Sequence, residues 1–345
     1  MTQTSAPALD AETPPRLHQI GILGFGKMGR TRAQAIEESR RGRVVKCFDV
    51  AAQAASGDAT LVQHEREILE DPAVEAVFIC TPNFRNQPLT LAALAAGKHV
   101  FCEKPPAFTA AEVEVVRQVE EGSGKKLMYG FNHRHHESIK KAKSVVEAGE
   151  FGRILWMRGR YGKSVTADYL ETWRAKKDLV GGGILLDQGI HMLDLFLHFA
   201  GDFDEVQAMV SNVYWQIDGL EDNVFANLRN RQTGIVASLH STMTQWRHLF
   251  SLEIFLEKGH MVLNGLKTSS NSYGDEVLTM ERNKASSPAV EWGPLQSFTY
   301  PVDTSWLSEV NAFFDAIESD APVPLGNSAD ALRLMRLVER IYENR

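Results

Sequence analysis

The chain of 345 residues lacks most of what would tie it to nucleic acid, to a membrane or to an oxidising compartment. Its formal net charge is −7 and its basic residues are scattered; the densest group, Lys140, Lys141 and Lys143, reads as one solvated helix face. That balance gives no electrostatic reason to expect nucleic acid or an anionic bilayer as a partner. Cysteine is scarce: the three residues, Cys47, Cys80 and Cys102, form no Cys-x-x-Cys pair and lie in or beside apolar, strand-like runs. Such a set predicts buried, reduced thiols and a cytoplasmic protein. No apolar run is expected to reach membrane-spanning length. Residues 1–16, rich in Ser, Thr, Ala and Pro, lack the charged-then-apolar order of a secretion signal and read as a flexible tail.

What is present is glycine in informative places. From Leu17 a short apolar strand ends at Leu23 and runs straight into Gly24-Phe25-Gly26-Lys27-Met28-Gly29, with a helix-like stretch behind it. Strand, G-x-G-x-x-G and helix in that order predict a phosphate-binding turn. The glycines permit the tight bend, a close approach of backbone to a pyrophosphate, and close helix–strand packing. A second strand, Val44-Val45-Lys46-Cys47-Phe48, ends in Asp49, 20 residues past Gly29. A carboxylate there would accept hydrogen bonds from an adenosine ribose and repel the extra phosphate of NADP, which favours NAD. The competing reading is that Asp49 merely closes a strand at the surface.

The alternation continues through a buried strand, 74–80, into Thr81-Pro82-Asn83, a helix over 89–96 closed by Gly97, and a strand, 98–102, into Glu103-Lys104-Pro105-Pro106. Strand–helix alternation implies an α/β Rossmann domain with a parallel, doubly wound sheet and ligands at the carboxyl ends of its strands. Thr81, Pro82, Asn83, Glu103 and Lys104 all fall at such ends and are expected to meet the cofactor, with Gly24, Phe25, Gly26, Lys27, Met28 and Asp49.

Beyond about residue 152 the pattern changes to successive strands, expected at 154–161, 206–215, 223–230, 234–243, 252–257, 261–266 and 277–282. Strands in succession imply an open antiparallel sheet, hence an α+β second domain. Expected boundaries are 17–136 for the nucleotide domain and 137–345 for the substrate and oligomerisation domain. Helices are expected over 138–148 and 306–318, and a last one is capped by Asn327 with Asp330, with Leu334, Val338 and Ile341 on one face. Met209, Val213 and Trp215 share one strand face, and Val224, Ala226 and Leu228 share another; either set could meet a second subunit or pack on helices.

Within this half lies Gly181-Gly182-Gly183-Ile184-Leu185-Leu186-Asp187-Gln188-Gly189-Ile190-His191. On a helix, Asp187 and His191 project from one face a turn apart. A carboxylate and an imidazole so held can orient a hydroxyl and take its proton, although a buried helix can also hold the two for structural reasons alone.

With Glu103-Lys104-Pro105, Gly24–Gly29 and the glycine run to His191 together, the chain resembles the glucose–fructose oxidoreductase / inositol dehydrogenase (Gfo/Idh/MocA) family over nearly its whole length. The resemblance implies a catalytic group of Lys104, Asp187 and His191. His191 would be the base, Lys104 would hold the reacting oxygen, and Asp187 would bind a neighbouring hydroxyl. It further implies an NAD-dependent dehydrogenase of a sugar, nucleotide sugar or cyclitol, acting on a ring secondary hydroxyl, and a homodimer or homotetramer joined through the second-domain sheet. An NAD-dependent glycosidase and a non-catalytic dinucleotide-binding sensor share the fold and remain alternatives.

Two positions depart from the family pattern. Asn86 stands where many relatives have His, and the common Asn-Arg-Arg-Phe run is here Asn132-His133-Arg134-His135-His136. Neighbouring side chains on an extended segment point apart and no acidic or thiol cluster accompanies the histidines, so no metal is expected. One of His133 and Arg134 is expected to face the substrate. Trp173 and Arg174 are candidate substrate contacts by their affinity for sugar faces and anions, or simply pack a loop.

Overall fold

The structure, a computed structural model, describes residues 17–51, 54, 55, 57–283 and 293–344. The expected tail, 1–16, lies outside them. In chain order the first part comprises β1 (His18–Leu23), α1 (Lys27–Ser39), β2 (Gly42–Phe48), β3 (Thr60–Leu61), α2 (Arg66–Leu69), β4 (Ala76–Ile79), α3 (Asn86–Ala95), β5 (His99–Glu103), α4 (Ala110–Ser123) and β6 (Leu127–Gly130). All pairings are parallel, in the order β3-β2-β1-β4-β5-β6. The run Ala76-Val77-Phe78-Ile79 is buried on both faces, as the central strands of a helix-covered parallel sheet must be. The order reverses between β1 and β4, which opens a crevice at their carboxyl ends. Each helix has a local cause. The Thr109 hydroxyl accepts from Glu112 N at 3.1 Å while the Glu112 carboxylate accepts from Thr109 N at 3.0 Å, a reciprocal cap that starts α4.

The second part holds α5 (Glu137–Glu147), β7 (Ile154–Gly162), α6 (Lys177–Val180), a π-helical turn (Leu185–Gly189), α7 (Ile190–Ala200), β8 (Glu205–Ser211), β9 (Asn223–Arg229), β10 (Val236–Thr242), β11 (Leu249–Leu256), β12 (Gly259–Asn264), β13 (Glu276–Arg282), β14 (Gln296–Tyr300), α8 (Ser305–Glu318) and α9 (Ser328–Glu343). Eight strands form one open sheet, β14-β13-β12-β11-β7-β10-β9-β8. It is antiparallel except at one place: β7 and β10 run parallel, Val236 opposite Trp156 through Thr242 opposite Gly162. The expected wholly antiparallel sheet is therefore mixed, and the carboxyl ends of β7 and β10 meet. Lys163 N donates to Thr242 O there at 2.8 Å.

α7 lies across β7 at close range because Gly159 has no side chain; a Cβ there would run into Met192 and Phe196. Val224, Ala226 and Leu228 face the helices and are buried. Met209 and Phe225, paired on the opposite face, are 70% and 44% exposed. Val213 and Trp215 are not on that strand. β8 stops at Ser211, and the Asp222 carboxylate accepts from the amides of Val213 (2.9 Å), Tyr214 (2.7 Å) and Trp215 (2.8 Å), which turns the chain away. β14, a polar stretch, was absent from the strands expected from sequence.

The apolar stretch Lys177–Ala200 is long and apolar enough to cross a membrane by length and composition, contrary to expectation, yet 78% of its most apolar window is buried inside this fold. Broken by Gly181 and by the π-helical turn, it serves as core. α9 begins at Asn327, whose side chain accepts from Asp330 N at 3.0 Å, and buries Leu334, Val338 and Ile341.

The last helices cross back to the first sheet. α8 packs on α1, and Val310, Phe313 and Phe314 share a core with Ile20, Ile22, Phe78 and Phe101. The Phe313 ring meets Phe78 edge-on at 5.6 Å and Phe101 at 5.7 Å. Phe313→Ala is expected to lower unfolding stability by about 3–5 kcal/mol, measured by urea denaturation. An unchanged midpoint would mean that α8 does not complete this core.

Candidate active site

The turn after β1 has the makings of an anion cradle. Gly24 has φ +89°, and a Cβ on it would strike the backbone at Cys80. A Cβ on Gly29 would strike the Gly24 carbonyl, while Gly26 faces open space. One glycine bends the chain, one packs the helix and one leaves room for a ligand. Gly26 is also the N-cap of α1 and caps nothing with a side chain, so the helix presents its first amides and the positive end of its dipole there. Asp49, at the end of β2, accepts from Phe25 N at 2.7 Å and from Ala51 N at 2.8 Å. This fixes its carboxylate beside the glycine turn, where a ribose would lie. The residues present therefore fit a dinucleotide: Gly26 and Lys27 are exposed and Met28 half-buried at the start of α1, whereas Gly24 and Phe25 are buried behind them.

Thr81, Pro82 and Asn83 follow β4 on the same edge. Thr81 Oγ1 donates to Asn86 Oδ1 at 3.3 Å, and Asn83 Nδ2 donates to Val180 O at 2.9 Å, which ties the first domain to the glycine run. Asn86 is buried and donates to the carbonyls of Glu103 (3.1 Å) and Pro105 (2.8 Å). An amide at this position thus holds the backbone on both sides of Lys104; the Lys104–Pro105 peptide bond is cis.

Lys104, Asp187 and His191 come together. Lys104 Nζ donates to the Asp187 carbonyl and lies 3.6 Å from Oδ1 of the same residue. Lys163, which sequence reasoning missed, donates to Asp187 Oδ2 at 2.7 Å. Its signal was available: it is the first residue past the carboxyl end of a strand. Asp187 sits in the π-helical turn and His191 in the first turn of α7, so the expected α-helical spacing is locally π, a form often found at functional sites. Burial pushes the Asp187 carboxyl up, but Lys163, Lys104 and Arg174 outweigh it and hold the group well below the usual carboxylate range. Burial pushes the Lys104 ammonium down, with Asp187 opposing and Arg174 and Lys163 assisting. Burial, with Lys104 and His136 adding to it, holds His191 well below the ordinary histidine value, so its imidazole is neutral near pH 7. Tyr161, Tyr169 and Tyr273 complete an aromatic wall that sequence reasoning also missed. Lys163 lies 5.0 Å from the Tyr169 ring centroid, and the Tyr161 and Tyr273 rings are 5.4 Å apart.

Other expected residues are placed differently. Glu103 turns its side chain inward: Oε1 accepts from Arg32 Nε at 2.7 Å, and Arg32 in turn meets Glu309 of α8 at 2.6 Å. Its carboxylate is a buried structural anion and not the cofactor contact expected. His133 and Arg134 separate. Arg134 donates to both oxygens of Asp194 (2.8 and 2.6 Å) and to Asp330 at 2.6 Å, so its guanidinium is buried between two carboxylates and turned away from the substrate role considered. His133 instead lies against His191, ring centroids 3.9 Å apart. His135 meets Ser308 Oγ at 3.4 Å and His136 meets Glu276 at 2.7 Å, so the histidines point to different partners. Among the described residues no group of three or more His, Cys, Asp or Glu side chains could hold a metal ion. Arg174 stacks over Trp173 at 4.4 Å beside the cleft, near enough for its charge to act on Asp187 and Lys104.

Fold and cleft together define a two-domain dinucleotide-binding protein with a cationic, aromatic-walled site at the domain junction. Comparison with known proteins takes this further. Residues 18–131 match the model of the oxidoreductase family with an NAD-binding Rossmann fold, and residues 139–262 match the GFO/IDH/MocA C-terminal domain. The chain belongs to the GFO/IDH/MocA family. It is 35% identical to a levoglucosan dehydrogenase of Pseudarthrobacter phenanthrenivorans over 56% of this chain, a match spanning about half, 53%, of that protein. It is 25% identical to the myo-inositol 2-dehydrogenase of Thermotoga maritima over 92% of this chain and 93% of that one. A solved levoglucosan dehydrogenase in complex with NADH superposes with a TM-score of 0.83 at 24% identity, covering 95% of this chain and 97% of that one, which shows the shared fold.

Burial, with Lys140 and Arg32 nearby, pushes His135 down to about 3, against roughly 6.5 in an unfolded chain. Because the folded value is the lower one, its contribution to stability is complete above about pH 6.5 and is lost as the pH falls towards 3. Urea denaturation is expected to show a loss of roughly 1 kcal/mol per pH unit from this group between pH 6 and 4.5. His135→Asn should remove that part of the slope; an unchanged slope would refute the assignment.

Proposed function

We propose that the protein is an NAD-dependent dehydrogenase that oxidises a secondary ring hydroxyl of a sugar, nucleotide sugar or cyclitol. The observation that carries this reading is the Asp187 carboxylate, bracketed by Lys104 and Lys163 and close to a neutral His191 at the cofactor edge. NAD, when bound, supplies the hydride acceptor. His191 takes the proton from the reacting hydroxyl through Nε2, since its Nδ1 is buried without a partner. Lys104 donates to the same oxygen and favours the charge that develops on it. Asp187, kept ionised, accepts from a neighbouring hydroxyl and fixes the ring, and the tyrosine wall suits its apolar face. Arg174, whose charge reaches Asp187 and Lys104, would contact the substrate, with Trp173 stacked against it. The family and its sugar- and cyclitol-oxidising relatives support this reading. The reduced thiols of Cys47, Cys80 and Cys102 suit a cytoplasmic enzyme.

The free sheet face, with Met209 and Phe225 exposed and Trp156 stacked on Phe255 at 4.1 Å, is the surface through which we propose a homodimer or homotetramer forms. Phe225→Glu should then shift the particle mass in light scattering to that of a smaller assembly. An unchanged mass would exclude this face.

NADH absorbance on mixing the protein and NAD with a panel of sugars, cyclitols and nucleotide sugars tests the activity. Lys104→Met should reduce the signal about a hundredfold or more while NAD still binds in calorimetry. A wild-type protein that binds NAD and forms no NADH across the panel would favour a glycosidase that returns its hydride, or a sensor.

A further inference from the structure

His133 occupies a position that the reaction just described leaves without a task. In the family run that this segment resembles, an arginine stands there. Here a second imidazole lies almost flat on the base, 3.9 Å from His191 between ring centroids and inclined by 17°. Both nitrogens of His133 are engaged. Asn132 Nδ2 donates to Ser305 Oγ at 3.2 Å, so Asn132 presents Oδ1 to His133 Nδ1, 3.1 Å away, and that nitrogen must carry the hydrogen. Nε2 is then the acceptor, and the Tyr161 hydroxyl donates to it at 3.0 Å. The ring is 4% exposed, so charging it would place an imidazolium out of reach of water.

His191 has the opposite problem. Its Nδ1 is buried with no hydrogen-bond partner, so an imidazolium there would hold one N–H unsatisfied. What faces it is the π surface of a ring that stays neutral, and a cation over such a face is attracted to it. We propose that His133 is a positioning residue for His191: locked in one neutral tautomer by Asn132 and Tyr161, it supplies the face on which His191 carries the proton taken from substrate. The other charged or titratable groups around the two rings are Lys104 and Asp187 at the cleft, Tyr161 from β7 with Tyr273 hydrogen-bonded to it, and His136 with Glu276. Lys104 and His136 both disfavour a charge on His133, as burial does. An arginine at position 133 would instead set a fixed cation against the base.

The proposal rests on the dehydrogenase reading only in its kinetic part, and the test keeps the two separate. Nitrogen-15 NMR of histidine-labelled full-length protein with NAD bound reads the His133 tautomer directly. From pH 6 to 8 it should stay neutral with hydrogen on Nδ1, and Tyr161→Phe should move its Nε2 resonance. A protonated His133, hydrogen on Nε2, or no response to Tyr161→Phe would overturn the proposal whether or not a substrate is known. With a substrate in hand, His133→Phe and His133→Leu both delete the two hydrogen bonds, but only Phe keeps a π face. Leu should then lower kcat about threefold relative to Phe with KM little changed, and equal kcat values would overturn the proposal. A protein that oxidises nothing on the panel counts against the dehydrogenase reading, whereas a charged His133 or one with hydrogen on Nε2 overturns the positioning role alone, so the two failures are distinguishable.

Discussion

Arg134 carries a charge that cannot be discharged at any ordinary pH, and it is 4% exposed. A guanidinium in that situation dictates structure, because carboxylates must be brought to it. Here they come from far along the chain: Asp194 on α7 and Asp330 in the first turn of α9. Burial pushes the Asp194 carboxyl up and Arg134 opposes it, so removing Arg134 would strand Asp194, whereas removing Asp194 would leave Arg134 with Asp330 alone. Asp194 lies three residues past His191 on the same helix, and Arg134 is the neighbour of His133. The ion pair that joins the second residue of each couple thus sets the two imidazoles face to face. Asp330 also accepts from Gly326 N at 3.0 Å, which anchors the start of α9 to the same cluster.

Around the cleft, electrostatics is resolved by proximity and not by solvent. Burial disfavours the charged form of both Asp187 and Lys104, pushing the carboxyl up and the ammonium down. Asp187 escapes because it has two ammonium groups, with Lys163 nearer to its carboxylate oxygens than Lys104 is. Lys163 is therefore the principal counter-ion of the carboxylate, while Lys104 Nζ donates to the backbone carbonyl of the same residue. The parallel pairing of β7 with β10 underlies this, since it fixes the strand end from which Lys163 extends. A reversal in strand direction deep in the second sheet thereby tunes a carboxylate at its edge.

Much of this was legible in the chain. The glycine turn, Asp49 and each strand–helix step of the alternation are local signals, and the structure shows the fold they imply. The cap at Asn327 and the buried face of α9 are local too. What was not legible depends on pairings between distant segments. Nothing near Glu103 reveals that its carboxylate turns to Arg32, and nothing near Arg134 shows that its partners lie 60 and 196 residues away. The end of β8 was misplaced because Asp222, which captures three amides of the turn, comes after the segment it bends. Apolar alternation through Val213 and Trp215 imitates a strand that this carboxylate forbids.

The return of α8 to the first sheet has a consequence for how such a protein can be taken apart or exchanged. A cut after residue 136 would separate two functional halves, but not two foldable ones. The nucleotide-binding half would lose Val310, Phe313 and Phe314 from its core and Glu309 from beside the buried Arg32. Arg32 also holds Glu103, the residue before Lys104, so the loss would be felt at the cleft edge. The inheritable unit is discontinuous: the first segment travels with a helix near the other end of the chain. A chimera that exchanges nucleotide-binding domains between relatives must carry α8 along with them, or re-create a second set of contacts from scratch.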